Sequence, residues 1–125
     1  MHENEISKII VDCAFRVHNE LGPGLLESVY EEVLSYELKK KGLNIERQKG
    51  ISVNYDNLKM ELGFRADIIV ENKVIIELKS IEEIAPVHSK QLLTYLRLTG
   101  CKLGLLINFN EALIKDGIRR IVNNL

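Results

Sequence analysis

The sequence predicts an α/β fold, a central mixed β-sheet flanked by helices, with elements in the order ααβββαβ and an ambiguous final segment. Three observations carry this. Residues 4–41 show helical apolar spacing. Residues 45–78 hold apolar, β-branched runs divided by turn residues. A further helix and an apolar strand follow over residues 86–109.

The first helix is expected over residues 4–20, because Ile6, Ile9, Ile10, Cys13, Ala14, Val17 and Leu21 recur on one face. Gly22-Pro23-Gly24 ends it, since proline cannot continue a helix and glycine supplies the turn. The second helix is expected over residues 25–41, with an apolar stripe of Leu26, Val29, Tyr30, Val33 and Leu34. Tyr30 belongs in the core with its hydroxyl tethered. Lys39, Lys40 and Lys41 complement the dipole at the helix end, and Gly42 stops it.

Residues 45–55 read as one or two strands, with Gly50 as a turn or bulge. Asp56-Asn57 marks a turn, and residues 59–70 form the next strand. Glu71-Asn72-Lys73 connects to residues 74–78, whose near-continuous apolar run suggests burial on both faces. Pro86 opens a third helix that runs to Thr99 and ends at Gly100. Residues 102–109 form a buried strand, and residues 118–122 fit either an edge strand or a short helix.

At 125 residues the chain suits one domain, residues 1–125, with one core. Its 46% hydrophobic and 28% charged residues match an ordinary globular composition. No apolar run is long enough for a membrane span, and the acidic N-terminus lacks the pattern of a signal peptide. Cys13 and Cys101 follow no metal-ligand spacing, which points to a reducing, cytoplasmic setting. The net charge of -1 argues against a generic nucleic-acid binder, so any such activity must rest on a local site.

That site is suggested by Asp67, Glu77 and Lys79, charges set within strands that are otherwise apolar. An unpaired buried charge costs several kcal/mol, so such placement needs a reason. Strand alternation puts Glu77 and Lys79 on one face. If residues 71–73 form a three-residue loop, Asp67 falls opposite Glu77; a two-residue loop would break that alignment. Two facing carboxylates favour a bound Mg²⁺ or Mn²⁺, and a nearby lysine suits phosphodiester hydrolysis. The alternative is a structural ion pair in which Lys79 bridges the acids. His88 reads as an exposed or capping histidine, and His18 as a helix-end one.

Asp67 followed by Glu77-Leu78-Lys79 resembles the core motif of the PD-(D/E)XK nuclease superfamily. Gly24-Leu25-Leu26-Glu27-Ser28-Val29-Tyr30 resembles the motif of its GxxExxY branch, and Gln91 through Tyr95 is similar to the QxxxY motif of its exonuclease-type members. One departure is Ala66, where the superfamily motif has proline. The resemblance implies a restriction-endonuclease-like fold and a Mg²⁺- or Mn²⁺-dependent nuclease acting on nucleic acid, chiefly DNA. It implies that Asp67, Glu77 and Glu27 ligate the metal, that Lys79 acts on the attacking water, and that Gln91 and Tyr95 support the site. Weak overall charge implies a homodimer or a recruiting protein partner. A catalytically silent binding module on the same fold is the alternative function.

Overall fold

The computed structural model describes residues 1–125, apart from the side chains at positions 61 and 62. Helices α1 (Glu3–Leu21) and α2 (Glu27–Lys40) precede strands β1 (Ile45–Tyr55), β2 (Leu58–Val70) and β3 (Val74–Lys79). Helix α3 (Pro86–Thr99), strand β4 (Leu103–Asn108), a short 3₁₀ turn (Ile114–Gly117) and strand β5 (Ile118–Val122) complete the chain. The five strands form one sheet in sequence order. Only β3 and β4 run parallel; the other neighbours are antiparallel. The ambiguous segment is therefore an edge strand. α3 makes the crossover that a parallel β3–β4 pair requires.

The sheet separates two apolar layers. Ile6, Ile10, Val17, Tyr30, Leu34 and Leu38 of α1 and α2 pack on Ile68, Val70, Ile76, Leu78, Leu105 and Ile107. On the other face Leu92 and Leu96 of α3 pack on Ala66, Ile69, Ile75 and Leu106. β3 alternates between these layers and is buried on both faces, as its unbroken apolar run implies. Gly104 permits the close approach of α3, since a Cβ there would stand 2.9 Å from Leu92.

Two expectations need correction. The buried stripe of α2 is Tyr30, Leu34 and Leu38; Leu26 precedes the helix and is 74% exposed, and Val29 is also exposed. The helix starts two residues later than its apolar spacing suggests, which leaves Leu26 outside it, and Val29 lies about 100° around the helix from Tyr30. In β1 the irregularity is not at Gly50, which pairs in register with Arg65. It lies at Gln48, whose φ is 48°, and between Ile51 and Val53.

Tyr30 ties the α1–α2 connection to the core. It stacks on Phe109 at 4.5 Å, donates to the Gly22 carbonyl at 2.6 Å and accepts from the Leu25 amide at 3.1 Å. Gly22 and Gly24 take φ of 70° and 95° in this turn, a region that glycine enters without strain. Pinning the turn sets where α2 begins.

Asn108 does the same beyond β3. Its fully buried side chain accepts from the Ile81 and Asn110 amides and donates to the Ile81 carbonyl. Phe109 also donates its amide to the Lys79 carbonyl at 2.9 Å. Asn108→Ala would strand buried backbone groups at about 1–3 kcal/mol each. We expect urea unfolding to show a loss of at least about 2 kcal/mol; a smaller loss would mean that water replaces the amide.

Candidate metal and catalytic site

The β2–β3 register pairs Ile68 with Ile76, Ile69 with Ile75 and Val70 with Val74, so residues 71–73 form the whole turn. Asp67 and Glu77 come next in that register, where the ladder stops. Side chains take over from the backbone there. The Leu78 amide donates to Asp67 Oδ2 at 2.8 Å, and the Asp67 amide faces Glu77 Oε1 at 3.4 Å. Each strand thus fixes the carboxylate of the other in the gap between them.

The alternation of β2 breaks at the same point. Ala66 lies in the α3 layer and Ile68 in the α1–α2 layer, although residues two apart should share a face. β1 breaks opposite. Lys49 reaches Glu46 at 2.7 Å, three residues away, a spacing that regular alternation would put on opposite faces. Gln48 sits at this break and donates to Asp67 Oδ1 at 3.1 Å.

Glu77 is pushed up from 4.5 to about 8, by burial first and then by the neighbouring Asp67 charge; Lys79 partly offsets this. Two like charges in a poorly solvated place cannot both ionise easily. Lys79 influences Glu77 but makes no ion pair with either acid among the described residues. That weighs against a lysine bridge as the reason for the cluster. Carboxylate oxygens are the donors that a hard divalent cation such as Mg²⁺ or Mn²⁺ takes, and Asp67 and Glu77 are the residues that would hold one.

Tyr95 and Gln91 on α3 face this pair. Tyr95 stacks on Phe64 with centroids 3.7 Å apart. Its hydroxyl is shifted up by burial and by the charges of Glu77 and Asp67, and Gln91 hydrogen-bonds to it. Glu27 is the first residue of α2 and lines a cleft of about 250 Å³ with Ser28, Glu31, Gln48, Asp67 and Leu78. The structure therefore brings Asp67, Glu77, Lys79 and Tyr95 within electrostatic reach of one another, with Gln91 beside Tyr95. Glu27 stands in the adjoining cleft, outside the acid pair. Among the described residues, no group of three or more His, Cys, Asp or Glu is arranged to hold a metal.

Sequence reasoning missed Glu31, Arg47 and Gln48. Glu31 shares a helix face with Glu27, four residues earlier, and that spacing was the available signal. Nothing in the local pattern marks Gln48. His88 caps α3 by accepting from the Ala85 amide, and His18 bonds the Glu111 carbonyl, so neither reaches the site.

A mixed sheet covered by helices on both faces, with an acid pair and a lysine where two strands part, defines a nuclease-like α/β domain. Residues 4–121 match the model of the PD-(D/E)XK nuclease superfamily, and the chain belongs to that superfamily. The crystal structure of SSO0001 is similar, with a TM-score of 0.59 and 24% identity over 78% of this chain. That likeness concerns the fold, and the matched region spans 50% of the SSO0001 chain. No curated protein matches. No helix among the described residues is long and apolar enough to cross a membrane.

The raised Glu77 carboxyl makes stability depend on pH. Unfolded, it ionises near 4.5; folded, at about 8. Between these values the folded state keeps a proton that the unfolded state has lost, so its contribution falls as pH rises. In metal-free protein, Glu77→Gln should gain stability over wild type between pH 5 and pH 8, and Mn²⁺ should narrow the gap by stabilising wild type alone. Chemical denaturation at both pH values, with and without Mn²⁺, measures this. A gap independent of pH would contradict the buried acid pair.

Proposed function

We propose that the chain is a divalent-metal-dependent nuclease that hydrolyses phosphodiester bonds of DNA. The observation that carries this is the Asp67–Glu77 pair, held by backbone amides where β2 and β3 part, with Lys79 beside it and, among the described residues, no ion pair to consume its charge. The Gly24 to Tyr30 segment supports assignment to the GxxExxY branch.

Asp67 and Glu77 would hold Mg²⁺ or Mn²⁺, which when bound polarises a phosphate oxygen and acidifies water. Lys79, two residues beyond Glu77 on the same strand face, would orient the attacking water and offset charge that develops on the phosphate. Tyr95 would present its hydroxyl to the same phosphate, held in place by the Phe64 stack and by Gln91. Glu27, at the start of α2, would reach the metal region through water across the cleft. With a net charge of -1, substrate affinity would come from local contacts and from pairing with a second copy or a recruiting protein.

Purified protein with Mn²⁺ or Mg²⁺ should cleave at least one of a panel of linear, circular and single-stranded DNA and RNA substrates. EDTA should abolish cleavage, and Glu77→Ala or Lys79→Ala should lower it by about 100-fold or more. Metal binding without cleavage of any substrate would favour the silent binding module. Neither binding nor cleavage would overturn the nuclease reading.

A further inference from the structure

Among the described residues, Gln48 is the only non-glycine residue with positive φ that lies inside a strand; Asp56, Glu71, Asn72 and Asn124 lie in turns or the tail. A left-handed non-glycine residue mid-strand is strained and persists only where its surroundings hold it. Here the surroundings are identifiable. The side-chain amide of Gln48 donates to Glu31 Oε1 at 2.6 Å and to Asp67 Oδ1 at 3.1 Å. Glu31, 8% exposed on α2, takes its second oxygen to Arg47, at 3.1 Å from Nε and 3.0 Å from Nη2. Arg47 also meets Glu32 at 2.8 Å, and these two bonds outweigh its desolvation and hold its charge. Regular alternation would send Arg47 and Gln48 to opposite faces. The turned backbone at Gln48 lets both reach one carboxylate.

Asp67 is consequently gripped from two sides, by the Leu78 amide on Oδ2 and by Gln48 on Oδ1. Both Gln48 amide protons are used, and each Asp67 oxygen keeps a lone pair for another partner. We propose that Gln48 is a positioning residue for the metal-binding carboxylate of Asp67, and that Glu31, neutralised by Arg47, holds Gln48 in that role. This rests on the reading of Asp67 and Glu77 as metal ligands. Hydrogen bonds that orient a ligating carboxylate are commonly worth about 10–100-fold in metal affinity.

Gln48→Gly separates side chain from backbone, because glycine adopts the same φ without strain. Gln48→Glu keeps the shape but turns the donor into a third carboxylate facing two others. Mn²⁺ alone is titrated into wild type, both variants and Glu77→Gln, followed by calorimetry. Metal-free melting and the Mn²⁺ dependence of cleavage are recorded beside it. Gln48→Gly should still melt cooperatively when metal-free yet bind Mn²⁺ about tenfold or more weakly. Its cleavage should recover at high Mn²⁺ with an unchanged KM for DNA. Gln48→Glu should melt below wild type when metal-free, through repulsion from Glu31 and Asp67, and regain stability as Mn²⁺ is added. Wild-type Mn²⁺ binding in Gln48→Gly, with loss only in Glu77→Gln, would overturn the role of Gln48 and leave the nuclease reading intact. Absence of Mn²⁺ binding in wild type would overturn both.

Discussion

Two carboxylates held against one another at the point where two strands separate set the requirements that the surrounding structure meets. A continuous β2–β3 ladder would carry Asp67 and Glu77 as ordinary facing residues, with their amides spent on the sheet. The strands part instead, and each carboxylate meets a backbone amide of the other strand. Fixed donors stabilise the acids where water is scarce, but they do not cancel the burial and the Asp67 charge that together lift Glu77 to about 8. The pair is therefore restrained in position and unsatisfied in charge, a combination suited to a cation.

The hydrophobic layers give this polar notch its rigidity. α1 and α2 close one face of β3, and α3 closes the other. Because β3 is buried on both sides, its end cannot slide without exposing Ile76 or Leu78. Tyr30 and Asn108 extend that rigidity into the connections on either side of the site. One pins the turn before α2, and the other pins the chain just after Lys79. The tyrosine of the Gly24 to Tyr30 motif thus has a structural task, whereas Glu27 in the same motif faces the cleft.

Strain and polarity meet at Gln48. A buried carboxylate at Glu31 needs a positive partner and a further donor, and consecutive residues of one strand supply both only if the strand turns over between them. The matching reversal at Asp67 lets the paired strands turn together without losing register, as the flanking pairs Arg47–Ile68 and Lys49–Ala66 show. The same reversal leads into the outer part of β1 and β2, whose root packs Phe64 against Tyr95.

The element order, the helix from Pro86 to Thr99 and the two-sided burial of β3 were legible in the sequence. They follow from local rules: apolar periodicity, turn residues and proline placement. That Asp67 falls opposite Glu77 was legible only on condition of a three-residue loop at 71–73, and the β2–β3 register supplies that loop. The tertiary structure alone decided that Leu26 lies outside the packed stripe, since a helix's start depends on the turn that Tyr30 ties down. It alone decided that residues 118–122 pair with β4. It also decided that Glu31, Arg47 and Gln48 join the site. Their link to Asp67 runs through a broken alternation at one left-handed residue, and that conformation is held by contacts between α2, β1 and β2 rather than by any preference of glutamine for it.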